Sequence, residues 1–336
     1  MENFKQWRSN FDFSNSELDL LNTPREDVGR NINFSYWQNK FLYTLIASKF
    51  IINDECQLKI SECATNLINE LFETYTDNDT LIITTEYEHP NVNKILDTKN
   101  NVFYVDMFDL GKTYEKLRKE LEKFNKVFIY ISGTQISTGR VIPDLTFKNL
   151  KSIFKSDHKV VFVLDDVQGM FMIPRDYTLF TYIIGTAHSL VPYYDMGICL
   201  CNCQDYQIGY TNSNWVKGYL DRLDIVLSRR SLLNQFYDVC QHHFKDRFES
   251  YGITYFSNKC DHIFAFNLGN ISFSDEMGKV LFDKRIFLHH PIAIKSMPNS
   301  SSIKIRAQEF MRFNESIDKG IGYLEMLIKE KGGPYV

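Results

Sequence analysis

The sequence predicts an α/β fold, a large domain on a mostly parallel sheet followed by a small C-terminal α+β domain. Three observations predict it. Short apolar or β-branched runs recur between residues 80 and 201, each long enough for one buried strand. Stretches with apolar residues at helical spacing separate most of them, the alternation that places helices on both faces of a parallel sheet. Beyond a long helical stretch at 214–250 the pattern changes to strands and helices in mixed order. With 336 residues, 44% hydrophobic and 24% charged, the chain can bury a core of this size and is too apolar for disorder.

The strand runs lie at 80–85 (TLIITT), 102–105, 126–132 (KVFIYIS), 159–164 (KVVFVL), 181–185 (TYIIG) and 196–201. Helices are expected at 61–75, with Ser61 as N-cap, at 111–124 and at 145–154. The last two strands follow one another with only a loop between, which breaks the alternation. In the N-terminal segment, 1–50, only a helix around 36–52 is legible. The large domain is expected over 51–250, closed by a long helix or broken helix pair with Gly218 as its soft point. The small domain, 251–336, carries expected strands at 262–267, 285–288 and 302–306 and helices at 274–283 and 315–330.

Composition excludes several functions. A net charge of −4, from 38 basic and 42 acidic residues, gives no electrostatic footprint for nucleic acid. The apolar stretch 41–52 is interrupted by Thr44, Ser48 and Lys49 and is too short to span a bilayer, so no membrane role is expected. Residues 1–30 show no basic region followed by an apolar run. Together with an odd count of seven cysteines, this favours free thiols in a reducing cytoplasm. The alternation Cys199, Cys201, Cys203 puts three thiols on one face of a strand, a poor start for a tetrahedral metal site.

Three constellations sit at expected strand ends, where open α/β sheets hold ligands. VFVLDDVQG closes a strand with Asp165 and Asp166, then Gln168. TTEYEHP places Glu88 and His89 just after TLIITT. GTQISTG follows KVFIYIS with a hydroxyl-rich turn containing Thr134, Ser137 and Thr138 and a hinge at Gly139. Each alone reads equally as a strand-end cap or a turn.

In this order the motifs resemble those of fold type I pyridoxal phosphate enzymes, particularly aminotransferase class V and cysteine desulfurase relatives, over about residues 55–330. The resemblance implies a three-layer αβα large domain and a site with the following parts. ISECATNLI stands where the family has its phosphate-binding turn, which maps a phosphate contact onto Ser61. TEYEHPN resembles the segment whose histidine stacks on the pyridine ring, here His89. GTQISTG resembles the turn beside the cofactor, mapping onto Thr138. LDDVQG resembles the Asp-x-x-Gln motif, with Asp165 against the ring nitrogen and Gln168 against the ring hydroxyl. SIKIRAQEFMRFNESID places Arg306 where the family grips a substrate carboxylate. An amino acid-like substrate, a homodimer and pyridoxal 5′-phosphate as cofactor follow from the resemblance alone.

One departure is decisive for the chemistry. Where the family carries the lysine that anchors the cofactor, this chain reads YIIGTAHSLVP. His188 matches the residue before that lysine and Ser189 replaces the lysine itself. No lysine lies between Lys159 and Lys217. The expectation is therefore an atypical enzyme that binds pyridoxal or pyridoxamine phosphate, or a preformed cofactor–amino acid aldimine, without a covalent anchor. His188 is its candidate base, since imidazole titrates near neutrality. The alternatives are a catalytically degenerate binding or partner subunit, and a metal or other ligand held by Asp165, His188 and His89. His289 and His290, in FLHHPIAI, belong to the small domain and have no assigned role.

Overall fold

Parallel strands that lie inside a sheet with both faces covered need apolar residues at every position, and this chain supplies them. The computed structural model describes residues 34–61, 63–135, 138–171, 173–186 and 197–203, and as backbone strands 254–255, 263–267, 292–294 and 297–306; side chains are described from residue 39 through 203. Its first sheet has seven strands: β1 (Gln57–Ser61), β2 (Thr80–Thr84), β3 (Val102–Tyr104), β4 (Lys126–Ser132), β5 (Lys159–Asp165), β6 (Tyr182–Gly185) and β7 (Gly197–Cys201). Their spatial order is β1-β7-β6-β5-β4-β2-β3. The pairs β2–β3, β2–β4, β4–β5 and β5–β6 are parallel, whereas β7 runs antiparallel to both β6 and β1. The expected break in the alternation is thus the antiparallel β6–β7 pair.

Five helices are described: α1 (Phe34–Ala47), α2 (Ala64–Tyr75), α3 (Pro90–Leu96), α4 (Leu110–Leu121) and α5 (Asp144–Lys151). Leu67, Ile68, Leu71 and Phe72 of α2, with Val92 and Leu96 of α3, bury one sheet face against Ile82, Phe128, Tyr130, Val163, Tyr182 and Ile184. On the opposite face Phe147 of α5 meets Phe162 and Phe180 edge-on at 6.0 and 5.0 Å. Phe41 of α1 meets Phe171 at 5.2 Å, and Ile51 pairs with Asp176 as an isolated bridge. The described part of the N-terminal segment therefore packs against the loop after β5, and its helix ends earlier than expected. Lys49 takes the left-handed conformation, φ 68°, that commonly closes a helix.

The helix expected at 61–75 is shorter, which corrects the placement of Ser61. QLKIS alternates between half-buried and buried positions and forms an edge strand along β7, ending at the pair Ser61–Gly197. Ladder hydrogen bonds to β7 win over the local capping propensity of serine, and the cap passes to Cys63. A second, antiparallel sheet is described at the backbone level, ordered β10-β11-β9-β8, from β8 (Thr254–Tyr255), β9 (Ile263–Asn267), β10 (Ile292–Ile294) and β11 (Met297–Arg306). The expected elements at 214–250, 274–283, 285–288 and 315–330 lie outside the described residues.

The start of α2 is clamped by β7. A Cβ on Gly197 would lie 2.4 Å from the carbonyl carbon of Cys63 and 2.5 Å from the Ala64 nitrogen, both backbone atoms that cannot yield without moving the helix. Gly197→Ala is expected to cost about 2 kcal/mol or more in urea unfolding. Gly111→Ala, where the nearest atom is Asp109 Oδ1 at 3.6 Å, is expected to lie within about 0.5 kcal/mol of the parent. Equal losses for both variants would remove the clamp.

Candidate functional site

The carboxyl ends of the parallel strands surround a cavity of about 330 Å³. Each strand delivers a different group to it. His89 follows β2, Ser132 and Thr134 end β4, Asp165 and Gln168 end β5, and Thr186 follows β6, while Cys63, Ala64 and Thr65 bring the first turn of α2 to the same space. β3 and β4 lie on opposite sides of β2, so the crevice falls where the strand order reverses, the usual ligand position of open α/β sheets.

The two adjacent aspartates diverge. Asp165 Oδ2 accepts the Tyr130 hydroxyl at 2.5 Å and Oδ1 accepts the Val167 N–H at 3.0 Å. Burial pushes its carboxyl above the usual carboxylate range, and the two hydrogen bonds only partly oppose that. Asp166 turns away and takes Arg175 Nε at 3.3 Å and the Tyr177 hydroxyl at 2.6 Å. Its carboxyl is raised by burial to about 6, with the Arg175 charge pulling the other way. Arg175 also donates to the carbonyls of Gly133 at 2.6 Å and Ile142 at 2.8 Å, so it staples the loop after β4 to the loop after β5. Asp166 is structural, and Asp165 faces the cavity.

Glu88 supports the opposite wall. Its fully buried carboxylate accepts the Thr85 hydroxyl at 2.6 Å, the Ser132 hydroxyl and the Ser132 N–H at 3.2 Å. Burial raises its carboxyl to about 7; the Ser132 and Thr85 bonds lower it, and the charge of Asp165 raises it further. His89 caps α3 with Nδ1 accepting the Asn91 N–H at 3.2 Å, which leaves Nε2 to carry the proton of the neutral ring.

The other expected site residues separate. Ser61 ends β1 and does not line the cavity; Cys63 and Thr65 stand there instead. Thr138 also does not line it, because its hydroxyl is spent on Gln135 Oε1 at 2.8 Å within the turn. Among the described residues of that loop, Thr134 lines the cavity. It is 2% exposed and its hydroxyl has no hydrogen-bond partner among the described residues. His188 and Ser189 lie outside the described residues, and Arg306 is described only as backbone, at the end of β11 opposite Ile263. Glu88 and Thr134 stood in the strand-end constellations without an assigned role, and Thr65 was not singled out from sequence. For Thr134, position two residues past the KVFIYIS strand was an available signal; for Glu88 only adjacency to His89 was.

No protein-family profile and no curated protein matches the sequence. Solved structures do match. A NifS-like protein from Rickettsia africae superposes with a TM-score of 0.68 at 15% identity, over 93% of this chain and 94% of that one. A pyridoxal phosphate-bound C–S lyase from Staphylococcus hominis gives 0.67 at 14%, over 89% and 84%. A kynurenine aminotransferase from Pyrococcus horikoshii, in complex with pyridoxamine phosphate, gives 0.61 at 10%, over 97% and 87%. The chain has the fold of the fold type I pyridoxal phosphate enzymes. That architecture accounts for the seven-stranded sheet with its one antiparallel strand, β7. Among the described residues no helix is long and apolar enough to cross a membrane, and no group of three ligating side chains could hold a metal ion.

The raised carboxyl of Glu88 makes stability depend on pH. Below its ordinary value of 4.5 both folded and unfolded chains bind the proton; between there and about 7 only the folded chain does. Raising the pH through this window therefore removes stability, on the order of 1–3 kcal/mol from this group. Glu88→Gln, which mimics the protonated acid, is expected to flatten the fall in urea midpoint between pH 5 and pH 8. A variant that keeps the parent's slope would place the titration elsewhere.

Proposed function

We propose that the cavity binds pyridoxal 5′-phosphate or pyridoxamine phosphate without a covalent anchor, and that the protein acts on an amino acid-like carboxylate substrate. The observation that carries this is Asp165. It is a buried carboxylate at the mouth of β5, held by one tyrosine hydroxyl and one backbone N–H, and it faces a cavity whose described lining contains no lysine or arginine. A protonated ring nitrogen would complete its charge. The rest of the lining fits the same ligand. Cys63 makes no side-chain cap on α2, so the first-turn N–H groups remain for a phosphate. Gln168 offers a polar contact for a ring substituent, and His89 stands on the β2 side.

When bound, this cofactor supplies an electron-accepting ring for carbanion chemistry. The chain's own residues do the remainder. Asp165 holds the negative charge opposite the ring nitrogen, and Tyr130 orients that carboxylate. His188, two residues beyond Thr186, is the candidate to hold the proton taken from the substrate's α-carbon, because Ser189 has no amine to do so. Arg306 is the candidate for the substrate carboxylate, and a homodimer is proposed on the likeness to the fold. The replacement of the anchoring lysine by Ser189 favours a second reading, a binding or partner subunit without turnover.

Titration of the protein with pyridoxal phosphate is expected to give a saturable absorbance change that dialysis reverses and borohydride does not fix. Asp165→Asn should weaken this binding by roughly tenfold to a hundredfold, the worth of one charge-assisted contact at about 1.5–3 kcal/mol. Absence of any spectral change at millimolar cofactor would sink the reading, and borohydride fixation to the parent chain would sink its non-covalent part. Exchange of an amino acid's α-hydrogen in heavy water, followed by proton NMR, separates enzyme from binding subunit. Exchange that survives His188→Gln undiminished would remove that residue from the base role.

A further inference from the structure

Two thiols meet at the end of α2 that lies away from the cavity. β7 ends at Cys201, and the next residue, Asn202, is pinned to the face of Phe180. Its amide donates to the carbonyls of Tyr177 at 2.8 Å and Phe180 at 2.9 Å, while its N–H reaches the Thr181 carbonyl at 3.0 Å. With Asn202 held this way, Cys201 and Cys203 both turn to the opposite face, the one packed under α2. Their sulfurs stand 3.1 Å apart. Each thiol also has an acceptor of its own, so no proton need lie between the sulfurs: Cys201 donates to the Cys203 carbonyl at 3.1 Å, and Cys203 to the Tyr182 hydroxyl at 3.2 Å. Tyr182 is opposite Cys201 in the β6–β7 pairing, and its hydroxyl is bonded to that of Tyr75, the last residue of α2. Cys201 is 1% exposed, whereas Cys203 is half-buried.

Cysteines separated by one residue can join only where the backbone already presents both sulfurs to one side. Alternate strand residues have Cα atoms about 6.6 Å apart, near the upper end of what a disulfide spans. We propose that Cys201 and Cys203 form a dithiol redox site, oxidised by small-molecule disulfides to an intrachain disulfide and reopened by small thiols. The half-buried Cys203 reacts first. Its proton passes to solvent and its sulfur attacks one sulfur of the reagent, whose S–S bond breaks as the first half leaves as a thiolate with the electron pair. Cys201 then loses its proton to solvent and attacks Cys203 Sγ, and the second half leaves from the mixed disulfide with its electron pair. The protein gives up two electrons and two protons, and the reagent becomes two thiols. Burial pushes the Cys201 thiol up to about 12, which suits it to resolve rather than to start the exchange; its nearness to the mixed disulfide offsets its poor ionisation. Tyr182 positions the Cys203 sulfur beside it. A ring closed over one intervening residue is strained, and a strained disulfide is readily reduced, so the couple is reversible. Neither cysteine lines the cavity, and the inference does not rest on the cofactor reading.

The reduced full chain is exposed to excess glutathione disulfide, quenched with acid, alkylated and mapped by fragmentation mass spectrometry, with Cys56, Cys63, Cys199, Cys240 and Cys260 read in the same map. The expected product lacks two hydrogen atoms, carries no glutathione, and has Cys201 and Cys203 protected from alkylation by a bond to each other. Reduced glutathione is expected to restore both thiols. Cys201→Ser, which removes the resolving thiol, should retain glutathione on Cys203 at about tenfold the level of the parent. Cys203→Ser should lose the fast reaction. Phenylarsine oxide, which bridges two neighbouring thiols with loss of water, is expected to protect this pair from alkylation in the parent and equally in Cys199→Ser. That measurement on the parent decides the matter even if the variants at 201 and 203 misfold. A disulfide joining either residue to Cys56 or Cys199, a lasting glutathione adduct on the parent, or a pair that reacts with neither reagent overturns the proposal. The spectral titration with pyridoxal phosphate reads a different part of the molecule, so either result can fail without the other.

Discussion

Where the parallel pairing of β4 with β5 stops determines what the cavity contains. The ladder runs from Lys126 opposite Lys159 to Ser132 opposite Asp165, and the last pair delivers both side chains to the crevice. Side chains alternate along a strand, so Asp165 shares a face with Val163, which packs under α2 and α3. Tyr130, on the same face of β4, is then within reach of Asp165, and its hydroxyl makes the bond that orients the carboxylate. One step further, Asp166 belongs to the other face and meets Arg175 and Tyr177. A one-residue slip that brought Asp166 to the cavity in place of Asp165 would put Val167 opposite Arg175 and leave the arginine facing no carboxylate.

Three carboxylates are buried at this end of the sheet, and each is accommodated differently. Asp166 has a guanidinium and a tyrosine hydroxyl, and Arg175 spends its remaining donors on two backbone carbonyls. Glu88 has three neutral donors and no cation among them, so burial wins and the group approaches neutrality at physiological pH. Asp165 has two neutral donors, no cation among its described partners, and it borders the cavity. A buried carboxylate costs several kcal/mol unless it is paired. Of the three, only Asp165 can still acquire a partner from outside the protein.

Much of this fold was legible in the sequence because runs such as TLIITT, KVFIYIS and KVVFVL are apolar at every position, a pattern that a helix with one wet face does not produce. Asp165, Gln168 and His89 were legible for the related reason that a polar residue ending such a run stands at the sheet's carboxyl edge. Ser61 misled because serine before a helical pattern is a capping signal, whereas the strand QLKIS is specified by pairing with β7, more than a hundred residues away. The Thr138 hydroxyl is bonded to Gln135 within its own turn, a use that the residue type does not announce in the sequence. The Glu88–Ser132–Thr85 and Asp166–Arg175 contacts join segments whose proximity exists only after the sheet forms, so no local pattern announces them.

The lysine-free stretch between Lys159 and Lys217 and the raised carboxyl of Asp165 belong to one electrostatic argument. A lysine past β6 would bring a permanent cation to the cavity and hold Asp165 ionised before any ligand arrived. The chain has no lysine between Lys159 and Lys217, and its one described buried guanidinium nearby is committed to Asp166. With no cation among its described neighbours, burial shifts Asp165 towards its protonated form, and the Tyr130 and Val167 bonds recover only part of its charge. The lining thus favours a ligand that supplies the missing positive charge itself, and entry of such a ligand is coupled to release of the Asp165 proton.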